Sequence, residues 1–361
     1  MTAVQTREHT DLILENAADS RSDCRLPTAR RVILIANPHA GGARRGTRLA
    51  HVEHSLRAAG LEVRRIASAR PHAVADELRE MLRDDSSDCT RVIVAGGDGT
   101  INAALPALMG TGFALAIVPL GTLNVLAREL GVPLDADAAT RVAIDGHVRR
   151  IDLGLANGRP FSLMAGIGLD AAIVHTVFPA LNKNLASAFG CAARAFRLVA
   201  HYAPARFRIT TERVRFETAA WLAVVANASR YAYNWHLAPG ARLDDGLLDL
   251  WLFESDTAAQ TAGQLISVLR SRPDGFPGVH HVRARSFRLE SDPPLFMQVD
   301  GDAAGHTPAE ITAAPGALNV VVPRERPERS HGADVGRRTC KGERPLCRAP
   351  LGHLLNWSGS A

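Results

Sequence analysis

Apolar residues follow two different rhythms along this chain. From residue 30 to about 150 they come in short unbroken runs: RRVILIANP (30–38), LEVRRIAS (61–68), RVIVAGGDG (91–99) and FALAIVPLG (113–121). Between the runs lie stretches with apolar positions three and four apart: TRLAHVEHSLRAAG (47–60), PHAVADELREMLRDD (71–85), TINAALPALMG (100–110) and TLNVLARELG (122–131). Unbroken aliphatic runs predict parallel strands covered on both faces, and the longer spacing predicts the helices that cover them. Gly60 closes one such helix and Pro71 stands near the start of the next, as stop and start signals should. Residues 30–150 therefore read as a doubly wound α/β domain.

After about residue 150 the rhythm shortens to two. IDLGLANGRPFSLMAGIG (151–168) predicts two strands around an Asn-Gly turn. The stretches at 205–229, 246–255 and 281–305 alternate in the same way, which predicts a β-sandwich over 151–323. One helical insert interrupts it, LNKNLASAFGCAARAFRLVAHYAP (181–204). Leu181, Leu185, Ala188, Phe189, Ala192, Phe196 and Val199 fall near one face of that insert, with Lys183, Arg194 and Arg197 elsewhere around it. It reads first as a core-packing helix with a basic solvated side, and second as a helix resting on an anionic membrane. Residues 1–29 are polar and 324–361 are Arg- and Pro-rich, which predicts a disordered leader and a disordered basic tail.

Composition adds few constraints. The 361 residues suit two domains, and 46% hydrophobic with 22% charged residues is ordinary for a soluble protein. The net charge is +5, and among 42 basic residues only Lys183 and Lys341 are lysines. Arginine suits bidentate contact with phosphate, so phosphate-bearing partners are admitted. The basic excess lies largely after Pro323 and no recognition motif accompanies it, so a nucleic-acid role is not expected. Five scattered cysteines, none in a C-x-x-C pair, argue for a reducing compartment without a disulfide framework. No apolar run approaches a membrane span and no secretory signal opens the chain. The expected location is cytoplasmic, or peripheral to the inner face of the membrane. His280 and His281 are adjacent and point apart on a strand, so they are assigned no metal.

The chemistry gathers at three glycine-bearing turns, each following an apolar run and opening a helix: NPHAGG (37–42), GGDGT (96–100) and PLGTLN (119–124). In open α/β sheets ligands bind outside the carboxyl ends of the strands, where backbone N–H groups favour phosphate. Gly96, Gly97 and Gly99 admit close backbone approach, and Thr100 suits a helix N-cap or a hydroxyl donor to phosphate. Asp98 is out of place beside phosphates unless a magnesium ion bridges the two or it caps a helix. The pattern is neither G-x-G-x-x-G nor a P-loop, since no lysine follows the turn. A second Asp-Gly turn in FMQVDGD (296–302) places Asp300 after a strand, and LDDG (243–246) reads equally as a turn or as metal-binding carboxylates.

In NPHAGG, GGDGTINAAL, PLGTLNVLARELGVP, IDLGLANGRPFSLMAGIGLDA, LAPGARLDDGLLDLWLF and FMQVDGD the chain resembles the diacylglycerol kinase catalytic-domain family, in its bacterial lipid-kinase form, over roughly residues 30–323. GGDGT alone is shared with NAD kinases; PLGTLNVLAREL is the discriminating piece. The resemblance implies ATP between an α/β ATP-binding domain and a β-sandwich lipid-substrate domain. Asn37, Gly41, Gly96, Gly97, Asp98, Gly99, Thr100, Gly121, Thr122 and Asn124 would line the nucleotide site. Asp300 would be the general base on a lipid hydroxyl. Asp302 stands where the family has glutamate. Asp245, with Asp244 beside it, would hold a structural Mg²⁺. RYAYNWH (230–236) is the densest aromatic patch and a candidate edge of a lipid cleft. The implied activity is an ATP- and Mg²⁺-dependent kinase acting on diacylglycerol or a related lipid at a membrane surface. An NAD kinase-like phosphotransferase and a non-catalytic nucleotide- or lipid-binding regulator are the competing readings. Oligomeric state, a homodimer included, stays open.

Overall fold

The computed structural model describes residues 30–36, 43–66, 71–83, 85, 90–176, 197–198, 202–232, 235–255, 257–273 and 275–324. Its first part alternates strand and helix: β1 (Arg31–Ala36), α1 (Ala43–Ala58), β2 (Glu62–Ile66), α2 (Pro71–Arg83), β3 (Thr90–Gly96), α3 (Asp98–Leu108), β4 (Ala114–Pro119), α4 (Val125–Glu129) and α5 (Ala136–Asp145). β1 pairs in parallel with β2 on one side and β3 on the other, and β3 pairs in parallel with β4. β1, β3 and β4 are almost wholly buried, as unbroken aliphatic strands between two helical layers must be. Because the chain leaves β1 in one direction and returns on its other side at β3, the switch point of the sheet falls between those two strands. A crevice at their carboxyl ends is where such sheets take ligands.

The second part is antiparallel. Its strands are β5 (His147–Ala156), β6 (Arg159–Phe161), β7 (Met164–Gly168), β8 (Ala205–Thr210), β9 (Arg215–Ala220), β10 (Leu222–Ala226), β11 (Arg230–Ala232), β12 (Trp235–His236), β13 (Leu248–Phe253), β14 (Val279–Ala284), β15 (Ser286–Asp292), β16 (Phe296–Val299), β17 (Asp302–His306) and β18 (Ala309–Val322). Among the described residues they are accompanied by the helices α6 (Leu169–Thr176) and α7 (Ala258–Leu269). The β5–β6 hairpin turns at Asn157 and Gly158, both with positive φ, as the Asn-Gly signal anticipates. One sheet runs β14-β13-β10-β7-β16-β17. It packs against strands of the other sheet through Phe161, Phe207, Phe287 and Ile311 on one side and Ile167, Val225, Leu250 and Met297 on the other, all fully or nearly buried.

The long strand β18 joins the two architectures. It pairs antiparallel with β5 and β15, and near its end it pairs in parallel with β4. The ten-stranded sheet therefore runs on from the parallel strands into the sandwich. The expected boundary between residues 150 and 151 falls inside β5. α5, α6, α7 and β18 were not among the expected elements. The helical insert lies mostly outside the described residues, as do Tyr233, Asn234 and the expected leader and tail. Among the described residues no helix is long and apolar enough to cross a membrane.

Candidate active site

β3 ends at Gly96 and α3 begins at Asp98, so the glycine turn is as tight as a strand-to-helix junction allows. Gly97 is the N-cap of α3 with extended backbone and no side-chain capping bond. Thr100 therefore does not cap the helix; it stands in its first turn, its N–H donating to the Gly97 carbonyl at 2.9 Å. Its side chain packs on Gly96 so closely that a Cβ there would lie 2.7 Å from Oγ1. The third glycine turn lies directly against the second. A Cβ added to Gly121 would fall 2.4 Å from the Gly97 Cα, so the two turns touch backbone to backbone and only glycine permits it.

Asp98 and Asn124 lock this contact. The Asp98 carboxylate accepts the N–H groups of Val125 at 3.1 Å and Leu126 at 3.2 Å, satisfying the first turn of α4 from another loop. An anion at a helix N-terminus is favoured by both the orphan donors and the helix dipole. Of the two roles open to Asp98 in the sequence, holding the loop is the one its bonds perform. Asn124 takes left-handed backbone (φ 49°) and is buried; its side chain accepts the Gly121 N–H and donates to the Gly121 carbonyl, each at 2.9 Å. Gly99 and Thr122 remain exposed at the rim. Asn37 and Gly41 lie outside the described residues.

Asp300 arrives from the other half of the chain. β16 and β17 form a hairpin whose loop is Asp300 and Gly301, at φ 47° and 86°, with Val299 paired to Asp302. Left-handed backbone at both loop residues is what the tightest hairpins need, and Asp-Gly is a preferred pair for it. The Asp300 carboxylate turns inward and accepts four bonds: from the N–H and hydroxyl of Ser162 at 2.7 and 3.0 Å, and from the N–H groups of Leu163 at 3.0 Å and Met164 at 2.8 Å. Burial pushes its pKa up to about 6, against the opposing pull of those bonds. The turn meets the glycine loops through Asn102 on α3, whose amide donates to the Asp300 carbonyl at 3.3 Å. Two segments 198 residues apart thus share one site.

Asp302 stands on the next strand and pairs with Arg159 at 2.9 Å. Asp244 and Asp245 do not join the site through any bond described. Asp244 is held by Arg149 at 2.6 Å and by Arg242, and its pKa is lowered by those guanidinium groups in spite of partial burial. Asp245 pairs with Arg283. Where a structural magnesium was expected the structure therefore supplies arginine, and among the described residues no group of three or more His, Cys, Asp or Glu converges on a metal position. With both carboxylates held by guanidinium groups, the donor set as it stands does not fit a divalent ion. His280 and His281 do point apart: one pairs with Glu254, the other with Asp249. In the aromatic stretch, Tyr231 packs on the core and Trp235 is exposed.

Several residues that build the site escaped the sequence. Asn102 and Ser162 are two. Gln298 and Asp170, both buried, lie behind the Asp300 turn. Asp152 is buried and accepts the N–H groups of Gly246 and Gly316, each at 2.7 Å, fastening the LDDG turn to β18. The available signal was a polar residue inside an apolar run, as in MQV or GLDAA, which marks a satisfied buried group without naming its partner.

Comparison with known proteins bears on the family and the fold. Residues 31–156 match the family model described as the diacylglycerol kinase catalytic domain, and residues 164–322 match the YegS C-terminal NAD kinase beta sandwich-like domain. A protein of Chromohalobacter salexigens named "Probable lipid kinase YegS-like" is 30% identical over 260 residues, covering 71% of this chain and 83% of that one. A diacylglycerol kinase of Staphylococcus saprophyticus is 28% identical over 299 residues, 82% of this chain and 96% of its own. A Synechocystis protein is 29% identical over 270 residues, and the chain spans 61% of that relative's length. The crystal structure of a diacylglycerol kinase from Bacillus anthracis superposes with a TM-score of 0.65 at 24% identity, over 82% of this chain and 98% of that one, a likeness of fold.

Proposed function

The chain belongs to the diacylglycerol kinase catalytic-domain family of lipid kinases, and from that premise we propose that it transfers the γ-phosphoryl group of ATP to a hydroxyl of diacylglycerol or a related lipid at a membrane surface. The observation that supports this reading is the Asn102 bond from α3 to the Asp300 carbonyl, which ties the half-buried Asp300 turn to the helix that opens at the glycine loop. Phosphoryl transfer asks little of a protein beyond alignment and charge neutralisation. The glycine turns offer α3 N-terminal amides and bare backbone to the phosphates. Magnesium accompanying ATP supplies neutralisation of the phosphate charge when bound. Asp300 takes the proton of the lipid hydroxyl as its oxygen bonds to the γ-phosphorus and the bond to ADP breaks. A carboxylate with its pKa near 6 is ionised at neutral pH yet basic enough to accept that proton.

The test is a labelled-ATP assay over a panel of hydroxylated lipids in vesicles, with NAD in the absence of lipid as a separate arm, run for the parent and Asp300→Asn. Labelled phospholipid formed by the parent and lost by at least about a hundredfold in Asp300→Asn is the expected result. Phosphorylation of NAD without lipid replaces this reading with a nucleotide kinase. ATP binding without transfer to any acceptor replaces it with a regulator.

A further inference from the structure

Behind the Asp300 turn lies a second buried carboxylate. Asp170, 7% exposed, sits at the start of α6, and Gln298, 3% exposed, is on β16. The Gly301 N–H donates to Gln298 Oε1 at 2.7 Å, and Gln298 Nε2 donates to Asp170 Oδ2 at 2.9 Å. The order of these bonds is forced. A backbone N–H can only donate, so the amide oxygen must face Gly301 and the amide nitrogen must face Asp170. Room for the carboxylate comes from Gly166, which stands directly opposite Gln298 on β7; a Cβ there would lie 2.1 Å from Asp170 Oδ2. The phenols of Tyr202 and Tyr231 lie near enough to feel the Asp170 charge.

We propose that Asp170 is a positioning residue for phosphoryl transfer: through the Gln298 amide it clamps the Gly301 N–H, and so holds the left-handed Asp300–Gly301 turn that presents the base. In a two-residue hairpin the second loop N–H has no ladder partner, and Asp300, the non-glycine loop residue at positive φ, holds its backbone at some cost. Gln298 holds the turn from below, Asn102 holds the Asp300 carbonyl from the nucleotide side, and the 162–164 segment fixes the carboxylate itself. Asp170 touches none of the reacting groups. Its part is to anchor the amide nitrogen, so that the amide oxygen aligned by the Gly301 N–H stays fixed behind the turn.

The inference rests on the reading of Asp300 as the base, and the experiment separates the two. Steady-state kcat and KM for ATP and lipid, per folded enzyme, are measured for the parent, Asp300→Asn, Gln298→Leu, Gln298→Glu and the double variant Asp170→Asn/Gln298→Glu. Gln298→Leu is expected to lower kcat about tenfold with KM for ATP unchanged within about twofold, since the nucleotide turns are held by other bonds. Gln298→Glu still offers Gly301 an acceptor but sets two carboxylates face to face, and kcat falls by a similar factor. The double variant restores an amide-to-carboxylate bond with donor and acceptor exchanged, and recovers kcat to within about threefold of the parent. A merely stabilising network lowers the melting temperature without this pattern of loss and rescue. Gln298→Leu with parental kcat, or a double variant no better than Gln298→Glu, overturns the proposal. Should Gln298→Leu fail to fold, the comparison of Gln298→Glu with the double variant decides alone. An active Asp300→Asn instead removes the reading of the base; an inactive one beside unaffected Gln298 variants removes only the clamp.

Discussion

Replacing Asp170 by asparagine should stabilise the protein, and increasingly so as the pH rises. The carboxyl is buried with its pKa pushed up to about 6 from 3.8, first by burial, against the smaller opposing pull of the Gln298 amide. The Ala171 N–H adds a weaker pull in the same direction, and among the described residues Oδ1 has no well-formed hydrogen bond. A raised pKa means that the folded protein binds a proton more tightly than the unfolded chain. Between about pH 4 and pH 6 the folded state holds more protons, so stability falls as the pH climbs through that window. A shift of about two units corresponds to about 3 kcal/mol of destabilisation once the group is fully ionised, of which about half has developed by pH 5. Asparagine keeps the carbonyl oxygen that accepts the Gln298 amide and removes the charge. Its nitrogen is left in the buried position of Oδ1, a cost that does not vary with pH. The diagnostic is therefore a slope. Urea unfolding of parent and Asp170→Asn from pH 5 to pH 8 should give a stability difference that grows by about 1.4 kcal/mol in favour of the variant and levels off above pH 7. Every other titrating group is common to both proteins and cancels. A difference that stays flat over that range, or that shrinks, would refute the burial argument.

Gly121→Ala should raise KM for ATP at least about tenfold while the protein stays folded, because its Cβ would press on the Gly97 backbone and part the two glycine turns; a parental KM contradicts the contact. Asp98→Ala removes the acceptor of two α4 N–H groups and should cost about 1–2 kcal/mol of stability, read by urea unfolding, together with most of the activity. The parent's kcat for lipid phosphorylation should rise with pH through about 6 as Asp300 loses its proton and then level off; a profile without a break near 6 assigns the proton transfer elsewhere. Arg283→Ala frees Asp245 of its guanidinium, and the variant should gain a magnesium dependence of its melting temperature that the parent lacks; equal responses argue that the carboxylate takes no ion even when unpaired.

Much of the first half was legible because its signals are local. Unbroken aliphatic runs, helical spacing and glycine turns each occupy a few consecutive residues, and the ends of β1, β3 and β4 fall within three residues of their expected runs. The second half was legible where strands alternate and a turn intervenes, as at Asn157-Gly158. β18 was missed for a physical reason. Pro315 and Gly316 lie within it and read as breakers, yet the pairing with β5 slips between Ala314 and Leu318 and absorbs them. Nor can a local pattern tell that one strand will pair with β5 along its length and with β4 at its end. The role of Asp98 had the same limit. Its motif is local, but the N–H groups it satisfies lie 27 and 28 residues further on.

By itself the sequence determined the composition of the site: bare glycines after two buried strands, an Asp-Gly turn carrying a candidate base, and the family motifs around them. These follow from what each residue type permits in its own backbone. Only the tertiary structure decided which charges are spent and on what. Asp98 goes to the amides of α4, Asp244 and Asp245 go to arginines, Asp302 goes to Arg159, and Asp170 reaches the Asp300 turn through a single glutamine. A carboxylate is defined by its partners and by the water it has lost, and both are set by packing between segments that lie more than a hundred residues apart for Asp170 and Asp300.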